Sequence, residues 1–306
     1  MNRKILIAIA TVILVSGCIE IPGMPTSQMG LGGLGLEITS FTAEPSPIFS
    51  GASLRVIMEA ENRGGTSVNN SDALVYLTSA NWGSWAGNTS SFKTFGKEMK
   101  AEDVVRGVPA TTDRLTWSLT APSLSPGQTR SDIFIGRIYH EYETSANGNI
   151  WVYSEAEAEA ARAAGRQIYT PSFTYSKGPV GIQVTVSPTP VILYAGENSF
   201  TVYVKISNLA SGTIYSPGAV GYSSNDISLT VDEINRVDVD VTAPGLSGFS
   251  ECEGTDQELI AGRDLTLVCD VTVTSVPDTF QSYQFDVKVS YGYYTERTTT
   301  VTVQGR

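Results

Sequence analysis

The chain has 306 residues, with 20 Lys and Arg against 31 Asp and Glu and a formal charge of −11. So acidic a surface repels phosphate backbones and anionic headgroups, which argues against nucleic acid as a partner. One histidine and three cysteines make no Cys/His cluster of the kind that holds zinc.

Arg3 and Lys4 open the chain, and residues 5–15 form an apolar run with Thr11 its only hydroxyl. Ser16, Gly17 and Cys18 follow. Positive start, apolar run and small-residue site make a secretory signal over 1–17. Eleven residues of helix reach roughly 16 Å, against a bilayer core of about 30 Å. A processed signal therefore fits better than a permanent span. Without Arg3 and Lys4, eighteen basic residues face 31 acidic ones, for a net −13. The small-small-Cys ending resembles the lipobox of membrane lipoproteins. That resemblance implies a lipid on Cys18, which becomes the first mature residue and holds the chain to the membrane. Residues 18–35 carry Pro22, Pro25 and the run Gly30-Leu31-Gly32-Gly33-Leu34-Gly35. Glycine at this density is entropically costly to order, and the segment reads as a flexible tether. The rival reading makes Leu31, Leu34 and Leu36 an apolar strand that docks on a partner.

Period-two alternation then predicts strands over 36–44, 54–61, 72–78, 114–120 and 131–140. Asn147-Gly148 predicts a hairpin, with 149–153 as its return strand. Ser154 and Glu157 form a capping box, Arg162 and Arg166 suit the far end, and Gly165 ends the helix between them. Ala is that helix's only apolar side chain. It is a spacer, or it packs one thin face on a sheet. A second series of strands follows over 181–187, 200–207, 227–231, 236–241, 265–274 and 283–291. Tyr291-Gly292-Tyr293-Tyr294 reads as a turn before a closing strand, 297–303.

The two series match. A shift of 152 lays Leu115, Trp117 and Leu119 on Leu267, Cys269 and Val271, and Ile133 and Ile135 on Phe285 and Val287. A shift of 145 lays Gly51 on Gly196 and Val56-Ile57 on Thr201-Val202. About seven short strands per copy fit an immunoglobulin-like β-sandwich. The expected fold is all-β: two tandem sandwiches, 36–153 and 179–306, joined by a helical linker, 154–178. The lipobox, the tether, Asn62-Arg63-Gly64-Gly65 and the Tyr-x-x-Tyr-x-Thr stretch from Tyr139 to Thr144 together resemble archaeal surface lipoproteins with tandem immunoglobulin-like, adhesion-type modules.

Several residues invite a role. Cys252 and Cys269 are an even pair in an exported chain and read as a disulfide rather than two free thiols. Asn69 and Asn88 begin Asn-x-Ser/Thr glycosylation patterns. Trp82 and Trp85 either stack on a sugar or partner protein, or cover an open end of the sandwich. Asp232, Glu233, Asp238 and Asp240 lack EF-hand spacing and read as a solvated face. His140 sits in a strand pattern, there is no phosphate-binding glycine loop, and no pair of acids is singled out for glycoside hydrolysis. Neither an enzyme nor a bound metal or cofactor is expected. The expected role is a lipid-anchored structural or adhesive protein on the extracytoplasmic side of the cell membrane, meeting envelope proteins or glycans. The alternatives are a subunit of a surface filament or secretion complex, or a solute- or glycan-binding lipoprotein.

Overall fold

The computed structural model describes residues 35–87, 90–222 and 227–306. In chain order its first strands are β1 (Leu36–Glu44), β2 (Ile48–Phe49), β3 (Ser53–Asn62), β4 (Ala73–Ser79), β5 (Phe92–Lys93), β6 (Thr112–Thr120) and β7 (Thr129–Ser154). The helix α1 (Glu155–Ala163) follows, then β8 (Ser172–Tyr175), β9 (Val180–Ser187), β10 (Val191–Leu193), β11 (Ser199–Asn208) and β12 (Thr213–Tyr215). The chain closes with β13 (Arg236–Thr242), β14 (Leu246–Ser247), β15 (Gly254–Glu258), β16 (Asp264–Val273) and β17 (Phe280–Gln304). The signal, Cys18 and the tether up to Leu34 lie outside the described residues.

β7 and β17 have 26 and 25 residues, where strands usually have about five or six. They pair antiparallel without a break, from Phe280 opposite Tyr153 to Gln304 opposite Thr129. At about 3.3 Å per residue this two-stranded spine runs about 80 Å. Its periodicity never slips. On β7 the even-numbered residues 132–146, then Ile150 and Val152, are buried. On β17 the odd-numbered residues 283–293, then Val301 and Val303, are buried. Both halves of the spine therefore bury the same side of the ribbon.

Two smaller sheets cover that side. β1-β3-β6 packs against the first half of β7, the second half of β17, and β4. β14-β16-β11-β9 packs against the second half of β7, the first half of β17, and β13. Each sheet pair encloses an apolar core, so the chain is an all-β protein of two sandwiches on one shared sheet. Val301 and Val303 belong to the first core, and Ala146, Ile150 and Val152 to the second. The expected division at 153 and 179 is corrected accordingly. Each module finishes its sheet with a strand that leads to or from the other.

The expected hairpin at Asn147-Gly148 and the expected turn at Tyr291-Gly292-Tyr293-Tyr294 are both absent. The chain runs straight through them. Both glycines sit where another segment closes on the strand. A Cβ at Gly148 would overlap the Ser172 carbonyl and the Phe173 ring, and one at Gly292 would overlap the Tyr215 ring. Glycine inside a strand marks such an approach as readily as it marks a turn.

The helix forms as its sequence predicts. Ser154 Oγ accepts from the Glu157 amide at 3.3 Å, and Gly165 follows the last turn at φ +65°. It does not join the modules, since the spine does that. Ala158 is buried with Tyr153 and Ile192, and Ala161 is buried as well, so the thin alanine face packs on the sheet. The strand expected at 227–231 is not formed, and Val231–Glu233 is a 3-10 turn instead.

The repeat is genuine, with two of its registers shifted. Val56 pairs with Trp117 and Val202 with Cys269, so β3 maps onto β11 at a shift of 146, and β6 onto β16 at 152. The shift of 145 holds only at the preceding turn, where Gly51 and Gly196 both have positive φ. For the spine the shift is 151. It lays Phe134 on Phe285, Ile138 on Val289, Tyr142 on Tyr293 and Val152 on Val303, all buried. At 152, Ile133, which is 54% exposed, would fall on fully buried Phe285. A one-residue slip turns every side chain to the wrong face.

Removing one methyl pair from the first core by Val301→Ala or Val303→Ala is expected to cost about 2 kcal/mol each. A urea titration followed by tryptophan fluorescence checks this, because Trp82, Trp85 and Trp117 all pack in that module. An unmoved midpoint would remove residues 301 and 303 from the core.

Candidate functional site

The spine's midpoint is a waist where His140 lies opposite Tyr293 and Tyr142 opposite Tyr291. Both modules begin here. His140 Nε2 accepts from the Leu36 amide at 3.5 Å, and the Tyr291 hydroxyl accepts from the Val180 amide at 3.3 Å. Leu36 opens β1 and Val180 opens β9, so His140 and Tyr291 hold the same place in the two copies. The other pair holds the loops after β3 and β11. Tyr142 Oη accepts from the Gly65 and Thr66 amides at 2.7 and 3.1 Å and donates to the Lys177 carbonyl at 2.9 Å. Tyr293 Oη accepts from the Gly212 amide at 2.7 Å.

Each loop is tied further by an asparagine. Asn62 Nδ2 donates to the Thr66 and Met99 carbonyls at 2.8 and 2.7 Å, and its Oδ1 accepts from the Gly64 amide at 2.9 Å. Asn208 Nδ2 donates to the Gly212 and Gly262 carbonyls at 3.1 and 3.4 Å, and its Oδ1 accepts from the Ala210 amide at 3.3 Å. On the opposite face of the sheet, Tyr215 donates to the His140 carbonyl at 3.3 Å and shares a 2.7 Å hydrogen bond with Tyr222. Burial disfavours the charged form of four of these phenols, Tyr291, Tyr293, Tyr215 and Tyr222. Tyr291 and Tyr215 are pushed well above the usual tyrosine range, and Tyr293 to about 12. The waist locks one module against the other.

His140 is fully buried, and burial lowers its pKa from 6.5 to about 3. Its Nε2 accepts, so the proton of the neutral ring sits on Nδ1, which has no partner among the described residues. A Cβ at Gly35, where φ is +68°, would come within 3.0 Å of Nε2, which reserves that entry position for glycine.

At the far end of the first module the tryptophan loop is built on a buried carboxylate. Asp132, 1% exposed, accepts from Asn81 Nδ2 at 2.6 Å, Trp85 Nε1 at 2.9 Å, and Arg130 Nε and Nη2 at 3.1 and 2.6 Å. Arg130 Nη2 also reaches Ser84 Oγ at 2.7 Å. Trp85 is buried edge-on to Phe134 at 5.1 Å, and half-buried Trp82 meets the same ring at 6.5 Å. Trp85 is thus a core residue, while Trp82, Asn81 and Ser84 lie on a surface held rigid by Asp132. An acid inside the alternation of Asp132, Phe134, Gly136 and Ile138 was the signal for that anchor.

Cys252 and Cys269 form a buried disulfide with Cα atoms 5.5 Å apart. Cys269 holds the core place that Trp117 holds in the first module, so one large ring and one cross-link fill equivalent positions. Asn69 is exposed, with its Nδ2 donating to Asp72 at 2.9 Å. Asn88 lies outside the described residues. Asp238 accepts from the Asp256 amide at 2.7 Å, and Asp232 and Asp240 are exposed. Among the described residues no group of three or more His, Cys, Asp or Glu side chains converges.

No family model matches the chain, and no curated protein matches it. Among solved structures it is similar to Escherichia coli alpha-2-macroglobulin activated by porcine elastase, at 10% identity and a TM-score of 0.21. That match covers 88% of this chain and 32% of the other. At such a score the likeness carries no argument.

Two outcomes follow. A histidine whose folded pKa is depressed takes up its proton first in the unfolded chain, so stability is full above pH 6.5 and falls as pH drops toward 3. Between pH 8 and pH 5 this contribution amounts to about 2 kcal/mol. Urea titrations across that range are expected to show a drop that is smaller by this amount in His140→Phe. Equal slopes in both proteins would place His140 in water. Replacing Cys252 and Cys269 with Ser is expected to cost roughly 3 kcal/mol under oxidising conditions and nothing once reductant is present.

Proposed function

We propose that this chain is a lipid-anchored protein of the extracytoplasmic face, structural or adhesive in role, built from two immunoglobulin-like sandwiches of the archaeal surface-lipoprotein kind. The observation that carries this reading is the unbroken spine. Modules joined by a loop swing independently by default. Here 25 paired residues and a hydrogen-bonded waist join them, as suits a part that must hold its shape under load.

The place where the chain enters the fold supports the same reading. Leu36 starts at the waist, so a tether from Cys18 reaches the middle of the rod and leaves two arms of about 40 Å each. The eighteen residues from Cys18 to Gly35 span at most roughly 60 Å. Both tips then stand clear of the membrane and are available to envelope proteins or glycans. At one tip, Trp82, Asn81 and Ser84 offer an aromatic face with polar neighbours on a loop that is already fixed, so little entropy is lost on binding. The disulfide suits an oxidising compartment. An acidic surface keeps such a protein soluble beside the membrane.

The test is the mature N-terminus in its native membrane. A dialkyl-modified Cys18 is expected by mass spectrometry, and Cys18→Ala is expected to shift the protein from the membrane to the soluble fraction. An unmodified N-terminus, or retention of the variant in the membrane, would overturn the anchoring.

A further inference from the structure

The outer face of the spine, turned away from both cores, differs between the modules. At the far end of the second module it carries four rings in contact. Trp151 lies 4.9 Å from Tyr169 at an interplanar angle of 33° and 6.0 Å from Phe280, whose ring stacks on Tyr153 at 5.4 Å. Tyr153 is buried, but Tyr169 and Phe280 are 47% and 42% exposed and Trp151 is half-buried. The helix α1 adds no residue to the second core. What it does is position Tyr169. Ala158 packs with Tyr153 and Ile192, and the Tyr169 amide, six residues past the helix, donates to Tyr153 Oη at 3.0 Å. The shift of 151 lays Trp151 on Thr302, Asn149 on Thr300 and Asn147 on Thr298, so the first module has threonines where the second has a tryptophan and two amides.

Beside the rings the same face continues in polar, uncharged side chains. Asn149 of β7 lies between Ser172 of β8 and Gln284 of β17, Asn147 lies beside Thr174, and Ser282 lies opposite Trp151. All six polar residues are exposed. Ser282 Oγ donates to Asn149 Oδ1 at 3.4 Å. Charge returns along the spine at Asp286, toward the waist, and Glu157 of α1 is paired with Arg166 at 2.8 Å. From the row of Phe280 to the row of Asp286 this strip is about 20 Å long, and three strands make it about 14 Å wide. An area of about 300 Å² falls well short of the roughly 800 Å² that each partner gives to a stable protein interface. Phosphate, sulfate and carboxylate groups find no cation on it, and the net charge of −11 repels them. A neutral sugar polymer fits. The C–H face of a pyranose ring lies on an aromatic ring, and its hydroxyls meet amides that both donate and accept.

We propose that this face of the second module binds a neutral polysaccharide, with its pyranose rings seated on Trp151, Tyr169 and Phe280 and its hydroxyls bonded by Asn147, Asn149 and Gln284. The rings hold one another in place, so little freedom is lost on binding. The site lies at the opposite tip from Trp82 and depends on neither that loop nor a lipid at Cys18.

The experiment uses the full chain in a Cys18→Ser background, run through native gels that contain glycogen, a mixed-linkage β-glucan, mannan or polygalacturonate. Retardation by at least one of the three neutral polymers, and none by polygalacturonate, is expected. Trp151→Ala and Tyr169→Ala are each expected to raise the polymer concentration for half retardation about tenfold. Asn149→Ala and Gln284→Ala, which leave the rings in place, are expected to raise it by a smaller factor, and Trp82→Ala is expected to leave it unchanged. A urea midpoint is measured for every variant, and the comparison is made among those that match the Cys18→Ser chain. No retardation by any neutral polymer would overturn the site, as would unchanged retardation in the Tyr169, Asn149 and Gln284 variants. A loss in Trp82→Ala alone would overturn it as well and place the sugar at the other tip.

Discussion

Everything in this molecule depends on the continuity of one antiparallel ladder. β7 and β17 exchange backbone hydrogen bonds over 25 residue pairs, and neither strand is confined to one core. Each core needs its share of both. The first is closed by Val301 and Val303 from the end of the chain, and the second by Ala146, Ile150 and Val152 from the middle. Neither module is therefore an independent folding unit in the usual sense, because the apolar surface of each is completed by a strand delivered from the other. Pairing over such sequence separation implies slow, late closure of the ladder relative to local structure.

The waist explains why a ribbon of two strands is stiff enough to act as a backbone. A bare two-stranded ribbon is marginally stable and strongly twisted. Here its midpoint is clamped from both faces. His140, Tyr142, Tyr291 and Tyr293 hold the starts of β1 and β9 and the loops after β3 and β11, while Tyr215 covers Gly292 from behind. The two copies have diverged at equivalent positions without losing the clamp. A neutral imidazole stands where the other module has a phenol, and Trp117 stands where the other has Cys269. Both substitutions preserve the hydrogen bond or the filled volume that the site requires.

A rigid double module suits the display and mechanical connection proposed for it. The loop at the far tip shows how such a surface is prepared. A buried carboxylate with four donors costs free energy unless every bond is made, and Asp132 makes all four. That fixes Trp82 and Asn81 in place.

Much of this was legible in the residues alone. Alternation identified most of the strands, the capping box and Gly165 located the helix, the even pair of cysteines indicated the bridge, and the internal match announced two related halves. Those features are local or depend on simple periodicity, so one sequence determines them. Continuity of the spine was not legible, although the even-numbered burial of β7 on either side of Gly148 carries its trace. Glycine at 148 and 292 has the same conformational freedom whether the chain turns there or a ring lies against it. Only the neighbours that close on those positions, Phe173 and Tyr215, separate the two cases. Asp132 and Trp85 likewise found their roles in each other, across 47 residues of chain. Sequence by itself determined most of the strands and which of their faces are apolar. Tertiary structure decided which module each long strand completes, because that choice rests on contacts between segments far apart in the chain.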